Sequence, residues 1–174
     1  MNGRIVGLFL AAVALVGGVG MYWLQIHAFY EEVPASGPDD VRVTLADGRV
    51  VPLPHTGFRA IDSDSSPIRF RACFALAEGA QDRLARARPA PDPVPLVAPG
   101  WFACFDAEAI GAALAAGRAQ AAMGEANIRY GIDRIVAVFA DGRGVAWNQI
   151  NRCGAAFFDG DPLPPGCPPA PTES

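Results

Sequence analysis

The chain has no lysine. All 14 basic residues are arginine, 18 acidic residues outnumber them, and the net charge is −4. An acidic chain offers no electrostatic reason to hold nucleic acid. Cysteine and histidine are scarce, at four and two. No C-x-x-C pair occurs, neither histidine lies near a cysteine in sequence, and no Met/His cluster exists. Zinc and copper sites built on such groupings are therefore not expected. G-x-G-x-x-G, the phosphate loop, C-x-x-C-H and the nucleophile elbow are all missing, so His55 has no support as a triad member. These absences point to no enzyme class and no cofactor.

Charge is also absent from one long stretch, Ile5 to Ile26, bracketed by Arg4 and by Glu31 and Glu32. As a helix at about 1.5 Å per residue it spans roughly 33 Å, enough for a hydrocarbon core of about 30 Å. The run is longer than the apolar region of a secretory leader, and Met21-Tyr22-Trp23-Leu24-Gln25 offers no small-x-small cleavage site. Tyr22, Trp23 and Tyr30 suit an interfacial aromatic belt. We expect an uncleaved transmembrane helix over 5–27, with residues 1–4 cytoplasmic because Arg4 lies on that side. His27 would sit at the interface, bonded to a backbone carbonyl. The alanine-, glycine-, proline- and arginine-rich composition suggests a bacterial inner membrane, with the remainder in the periplasm. Gly7, Ala11, Ala14 and Gly18 share one helix face, and small residues there let a partner helix approach closely. The expected partners are the lipid bilayer and, through that face, another membrane protein.

Beyond a linker over 28–40, residues 41–158 read as one α+β domain: a small, mainly antiparallel sheet with two helices, braced by disulfides. Val41, Val43 and Leu45 alternate with polar residues before Asp47-Gly48, then Val50, Val51 and Leu53 follow, a hairpin pattern. His55 to Gly57 reads as loop. From Pro67, alternation of Ile68, Phe70, Ala72, Phe74 and Leu76 with Arg69, Arg71 and Cys73 predicts a strand. A helix is expected over 77–88, stopped by Pro89, and the proline-rich 89–99 as an extended excursion. Residues 101–105 read as a short strand. Asp106 is the expected N-cap of a helix striped by Ile110, Leu114, Gly117 and Ala121. Ile132 to Phe139, the turn at Asp141-Gly142 and Val145 to Ile150 form the clearest hairpin. Periodicity is lost from Cys153, and 159–174 reads as a Pro-rich irregular tail.

All four cysteines lie beyond the anchor, and an even number in an oxidising space reads as two disulfides. Three pairings of Cys73, Cys104, Cys153 and Cys167 are possible. Cys153–Cys167 is preferred because it pins a loose tail, which leaves Cys73–Cys104. Asp62-Ser63-Asp64-Ser65-Ser66 opens like a calcium loop, but Pro67 replaces the required glycine and Cys73 the closing glutamate. It reads instead as a turn whose carboxylates pair with Arg59, Arg69 or Arg71.

The segments M-N-G-R, H-A-F-Y-E-E-V, D-S-S-P-I-R-F-R-A-C-F, P-G-W-F-A-C-F-D-A and R-I-V-A-V-F-A-D-G-R-G-V-A-W-N-Q-I-N carry a resemblance over nearly the whole chain. It resembles a family of small single-pass proteins from alphaproteobacteria with no established function. Members are often labelled histidine kinase, a label that 174 residues cannot accommodate. The resemblance implies the anchored architecture and no catalytic residue. Two readings follow. In one the chain is a non-enzymatic accessory, assembly or interaction protein of a larger membrane complex, with a respiratory complex as the candidate. In the other it is a periplasmic ligand-binding or sensor domain using Asp62, Asp64, Arg69 and Arg71 beside Trp101 and Trp147. A deep pocket with convergent polar groups would favour the second.

Overall fold

The computed structural model of the chain describes residues 3–26 and 30–171; His27 and Phe29 lie outside them. The chain falls into two compact units, divided between Glu31 and Glu32. The first is helix α1, Gly3–Ile26. Every side chain described from Gly3 to Leu24 is exposed. By length and composition α1 can cross a membrane, as an anchor or a signal sequence does.

The second unit is built on a sheet of order β1-β4-β5-β8-β7-β6, with a separate two-stranded β2-β3. The strands are β1 (Glu31–Val33), β2 (Arg42–Thr44), β3 (Val50–Pro52), β4 (His55–Asp62), β5 (Arg71–Leu76), β6 (Ala119–Arg129), β7 (Ile132–Phe139) and β8 (Arg143–Ile150). Helices α2 (Ala80–Leu84), α3 (Ala107–Ala115) and α4 (Arg152–Asp159) complete it. The α+β class with a mainly antiparallel sheet and two disulfides is as the sequence predicts. There is, however, one helix more than expected.

Both expected hairpins form. β2 and β3 pair Val43 with Val51 across the Asp47-Gly48 turn, and β7 and β8 pair from Ile132↔Ile150 to Val138↔Gly144. Register divides the large sheet into two faces. Ala72, Phe74, Val136, Val138 and Ala146 turn one way, into a core with Val41, Val43 and Leu53. Gly144 faces Phe74 there, and a Cβ on it would overlap the Phe74 ring. Arg71, Cys73, Ile135, Val145 and Trp147 turn the other way, beneath the segment that carries α3.

Several expectations are corrected, and where strands are involved the cause is non-local pairing that outweighs local pattern. His55 to Gly57 is not loop but opens β4, whose alternation is broken by a register shift between Thr56 and Arg59, with Gly57 at φ 63°. β5 begins only at Arg71 and is covered on both faces. The helix expected over 77–88 shortens to α2, because the chain beyond it pairs as Leu45↔Ala87 and Pro89↔Ala122. Residues 101–105 turn rather than extend, through Phe102 N–H to Pro99 O and Phe105 N–H to Phe102 O. α3 starts as expected, with Asp106 Oδ1 accepting from Ala109 N–H at 3.0 Å. It stops at Ala115, before Gly117 at φ 67°. Gly117 and Ala121 are therefore not part of its stripe, and β6 occupies the rest. Residues past Cys153 are not irregular at once: α4 forms, capped by Asn151 Oδ1 and ended by Gly160 at φ 75°.

Disulfides join Cys73 to Cys104 and Cys153 to Cys167. The first ties the turn segment to the central strand β5. The second ties the chain after α4 back to its first turn.

Candidate functional site

Trp147 and Arg71 sit opposite each other on β8 and β5, in the middle of the α3 face. Trp147 is wholly buried and packs edge-on to Phe105 at 6.3 Å. Arg71 is 3% exposed. A guanidinium so deep needs partners. It donates to the carbonyls of Leu96 at 2.8 Å, Ile68 and Phe70 at 2.7 Å, and Val97 at 3.1 Å. Arg71 thus clamps the proline-rich strap, residues 88–99, over the sheet.

Further along the same face the register puts Asp133 opposite Gln149. Asp133 is 5% exposed. Its Oδ1 accepts from Asn127 N–H at 2.9 Å and Asn151 Nδ2 at 2.8 Å. Asn127, at φ 50°, tolerates the left-handed conformation that brings its amide inward. Its Oδ1 accepts from Gly131 N–H at 3.1 Å, and Asn151 Oδ1 in turn caps α4 from Cys153 and Gly154 N–H at 3.0 Å. Gly131 and Gly154 make this assembly possible: their backbones touch, and a Cβ on either would overlap the other. Gln149 completes the floor. Its Oε1 accepts from Trp147 Nε1 at 3.2 Å and Val94 N–H at 3.0 Å, while Nε2 donates to Asp92 O at 3.2 Å.

Between this floor, the strap and the disulfide-held tail lies an open cleft of about 1030 Å³. Val94 and Leu96 supply apolar wall from the strap, Met123 lies on β6, and Gly166 and Pro168 close the tail side. The tail is positioned by Cys153–Cys167, by Arg152 Nη2 donating to Pro165 O at 2.9 Å, and by Tyr130 Oη donating to Pro168 O at 3.0 Å. Both of these Asp133 hydrogen bonds fall on Oδ1, and the residue lines the cleft. Among the described lining residues there is no hydroxyl, imidazole or free thiol. The cleft is equipped to bind by hydrogen bonding and apolar contact.

The six residues singled out from sequence do not gather here. Arg71 and Trp147 are core. Trp101 is half-buried, edge-on to Phe102 at 6.2 Å. Asp62 accepts from Ser63 N–H at 2.8 Å, Asp64 is exposed and Arg69 half-buried, and none of the six lines the cleft. His55 lies with Nδ1 2.8 Å from Leu53 O, between Phe58 and Phe74. Gly7, Ala11, Ala14 and Gly18 are exposed on α1. The residues missed, Asn127, Asp133, Gln149 and Asn151, carried one signal: polar side chains in and beside the most apolar hairpin. On the opposite face Arg134 stacks 3.6 Å from the Phe70 ring centre and donates to Asn148 Oδ1 at 3.0 Å. Burial pushes its pKa down, against the pull of Asp62 and Glu125.

The fold defines a disulfide-braced α+β domain with a mainly antiparallel sheet. The chain belongs to a family of unknown function (DUF6446), whose model matches residues 41–168. No curated protein and no solved structure matches it.

Proposed function

We propose that the chain is a membrane-anchored, non-enzymatic binding domain facing the periplasm, with the Asp133 cleft as its ligand site. One observation carries this: a buried carboxylate, three amides and an apolar strap converge on one cavity of about 1030 Å³. The disulfides support an oxidising compartment. Arg4 supports a cytoplasmic N-terminus for α1, with the second unit outside. A panel of amino acids, polyamines and sugars, scored by thermal unfolding of the full chain in nanodiscs, tests the reading. At a hundred times its Kd a true ligand stabilises by about 2.7 kcal/mol, and Asp133→Asn abolishes that shift. A panel without effect, or a shift that survives the substitution, sinks it.

A second reading, the accessory protein of a larger complex, is favoured by α1. Gly7, Ala11, Ala14 and Gly18 share one face of α1, and small residues on one face allow close approach of a partner helix. Gly7→Leu with Gly18→Leu would then leave insertion intact but release whatever co-purifies. Leu10→Ile with Val13→Ile is the control. Co-purification at the wild-type level in the glycine variant excludes the contact.

A further inference from the structure

The α3 face holds a second hollow at its other end. β4, β5 and β8 place Arg59, Cys73 and Val145 in one row, and Ala75 with Arg143 in the next. The side chains at the row centres, Cys73 and Ala75, are small, so the sheet dips there. α3 faces the dip with Ala109 and Ala113, one turn apart and equally small. What remains between them is a cavity of about 530 Å³ with an apolar floor.

Three exposed arginines, Arg59, Arg118 and Arg143, line it. Asp106 is the single carboxylate in the lining, and its Oδ1 is engaged in capping α3. Asp141 pairs with Arg143 at 2.8 Å but is not part of the lining. Aromatic faces help to hold two of the guanidinium groups: Arg59 lies 5.8 Å from the Phe102 ring centre and Arg143 4.9 Å from that of Phe139. In a chain of net charge −4 this is a local reversal of sign.

We propose that this hollow binds a small organic carboxylate: the apolar body rests on Ala75, Ala109 and Val145, and the arginines take the charge. Guanidinium groups present paired N–H donors that match a carboxylate, and an apolar floor gives a bare inorganic anion no advantage. The site is separate from the Asp133 cleft and does not depend on it.

Calorimetric titration of 2-naphthoate into the full chain in phosphatidylcholine nanodiscs tests the proposal. Saturable binding is expected, with the neutral 2-naphthamide weaker by at least about tenfold. Arg118→Gln and Arg143→Gln should each weaken 2-naphthoate by about tenfold, the size of a lost charged hydrogen bond, with the unfolding midpoint essentially unmoved. Asp133→Asn should leave it unchanged, which separates this site from the cleft. Equal binding of the amide, effective competition by inorganic phosphate, or loss on Asp133→Asn alone would each overturn the assignment. So would the absence of saturable binding at millimolar 2-naphthoate.

Discussion

The middle and the Asp133 end of one sheet face both bury a charged group, and they treat it differently. Arg71 is surrounded by carbonyls of the strap and of its own neighbourhood. Asp133 is held at Oδ1 by the Asn127 N–H and the Asn151 amide, and it lines a cleft. A buried charge enclosed by backbone acceptors is a structural clamp. A buried carboxylate held by side-chain and backbone amides beside a cavity is, on the function proposed above, a recognition element.

Five changes to the chain test that contrast. The largest effect is expected at Trp147, which anchors the middle: Trp147→Ala should cost about 3–5 kcal/mol in chemical unfolding. A cost near zero would mean the middle is not the scaffold. Next comes the stitch over that middle. Opening Cys73–Cys104, which closes 31 residues, by Cys73→Ser with Cys104→Ser should cost about 4 kcal/mol. Cys153–Cys167, spanning 14 residues at the cleft edge, should cost about 3 kcal/mol when removed and also weaken any cleft ligand. If both pairs impaired ligand binding alike, the middle and the end would not be separable.

Asp133→Asn keeps an oxygen for Asn127 and Asn151, so it should cost about 1 kcal/mol or less of stability while abolishing ligand stabilisation. A large loss of stability with binding intact would reverse the assignment. The smallest effect lies at the turn of the last hairpin. The Arg143 side chain and N–H bonds hold the Asp141 carboxyl below the usual range. A depressed folded pKa contributes stability above the unfolded value of about 3.9, and that contribution is lost as pH falls through the folded pKa. The gap between wild type and Asp141→Asn in thermal unfolding should therefore be small at pH 7 and shrink as the pH falls below about 4. A gap that grows on acidification would contradict the sign.

Local pattern was sufficient for α1, both hairpins, the start of α3 and the α+β class. Charge-free length, alternation and Asp-Gly turns act over a few residues and need no distant partner. The end of α3 is different. An alanine-rich run past Ala115 favours helix locally, yet 119–129 becomes β6 because the edge of β7 gives its backbone hydrogen-bond partners. Residues 101–105 carry strand-like aromatics, yet turn so that Phe102 and Phe105 reach the core and Cys104 reaches Cys73.

The candidate site belongs almost wholly to tertiary structure. Asn127, Asp133, Gln149 and Asn151 are spread over 25 residues with no motif spacing, and β7–β8 register and the Gly131–Gly154 contact bring them together. A charge-free run long enough for a helix, followed by an acidic α+β domain with an even number of cysteines, was legible in the sequence, because length, charge and alternation are properties of contiguous chain. Which polar groups are clamped and which line a cavity was not legible there. That depends on which backbone groups arrive beside them from residues far along the chain, as the strap carbonyls of Leu96 and Val97 arrive at Arg71.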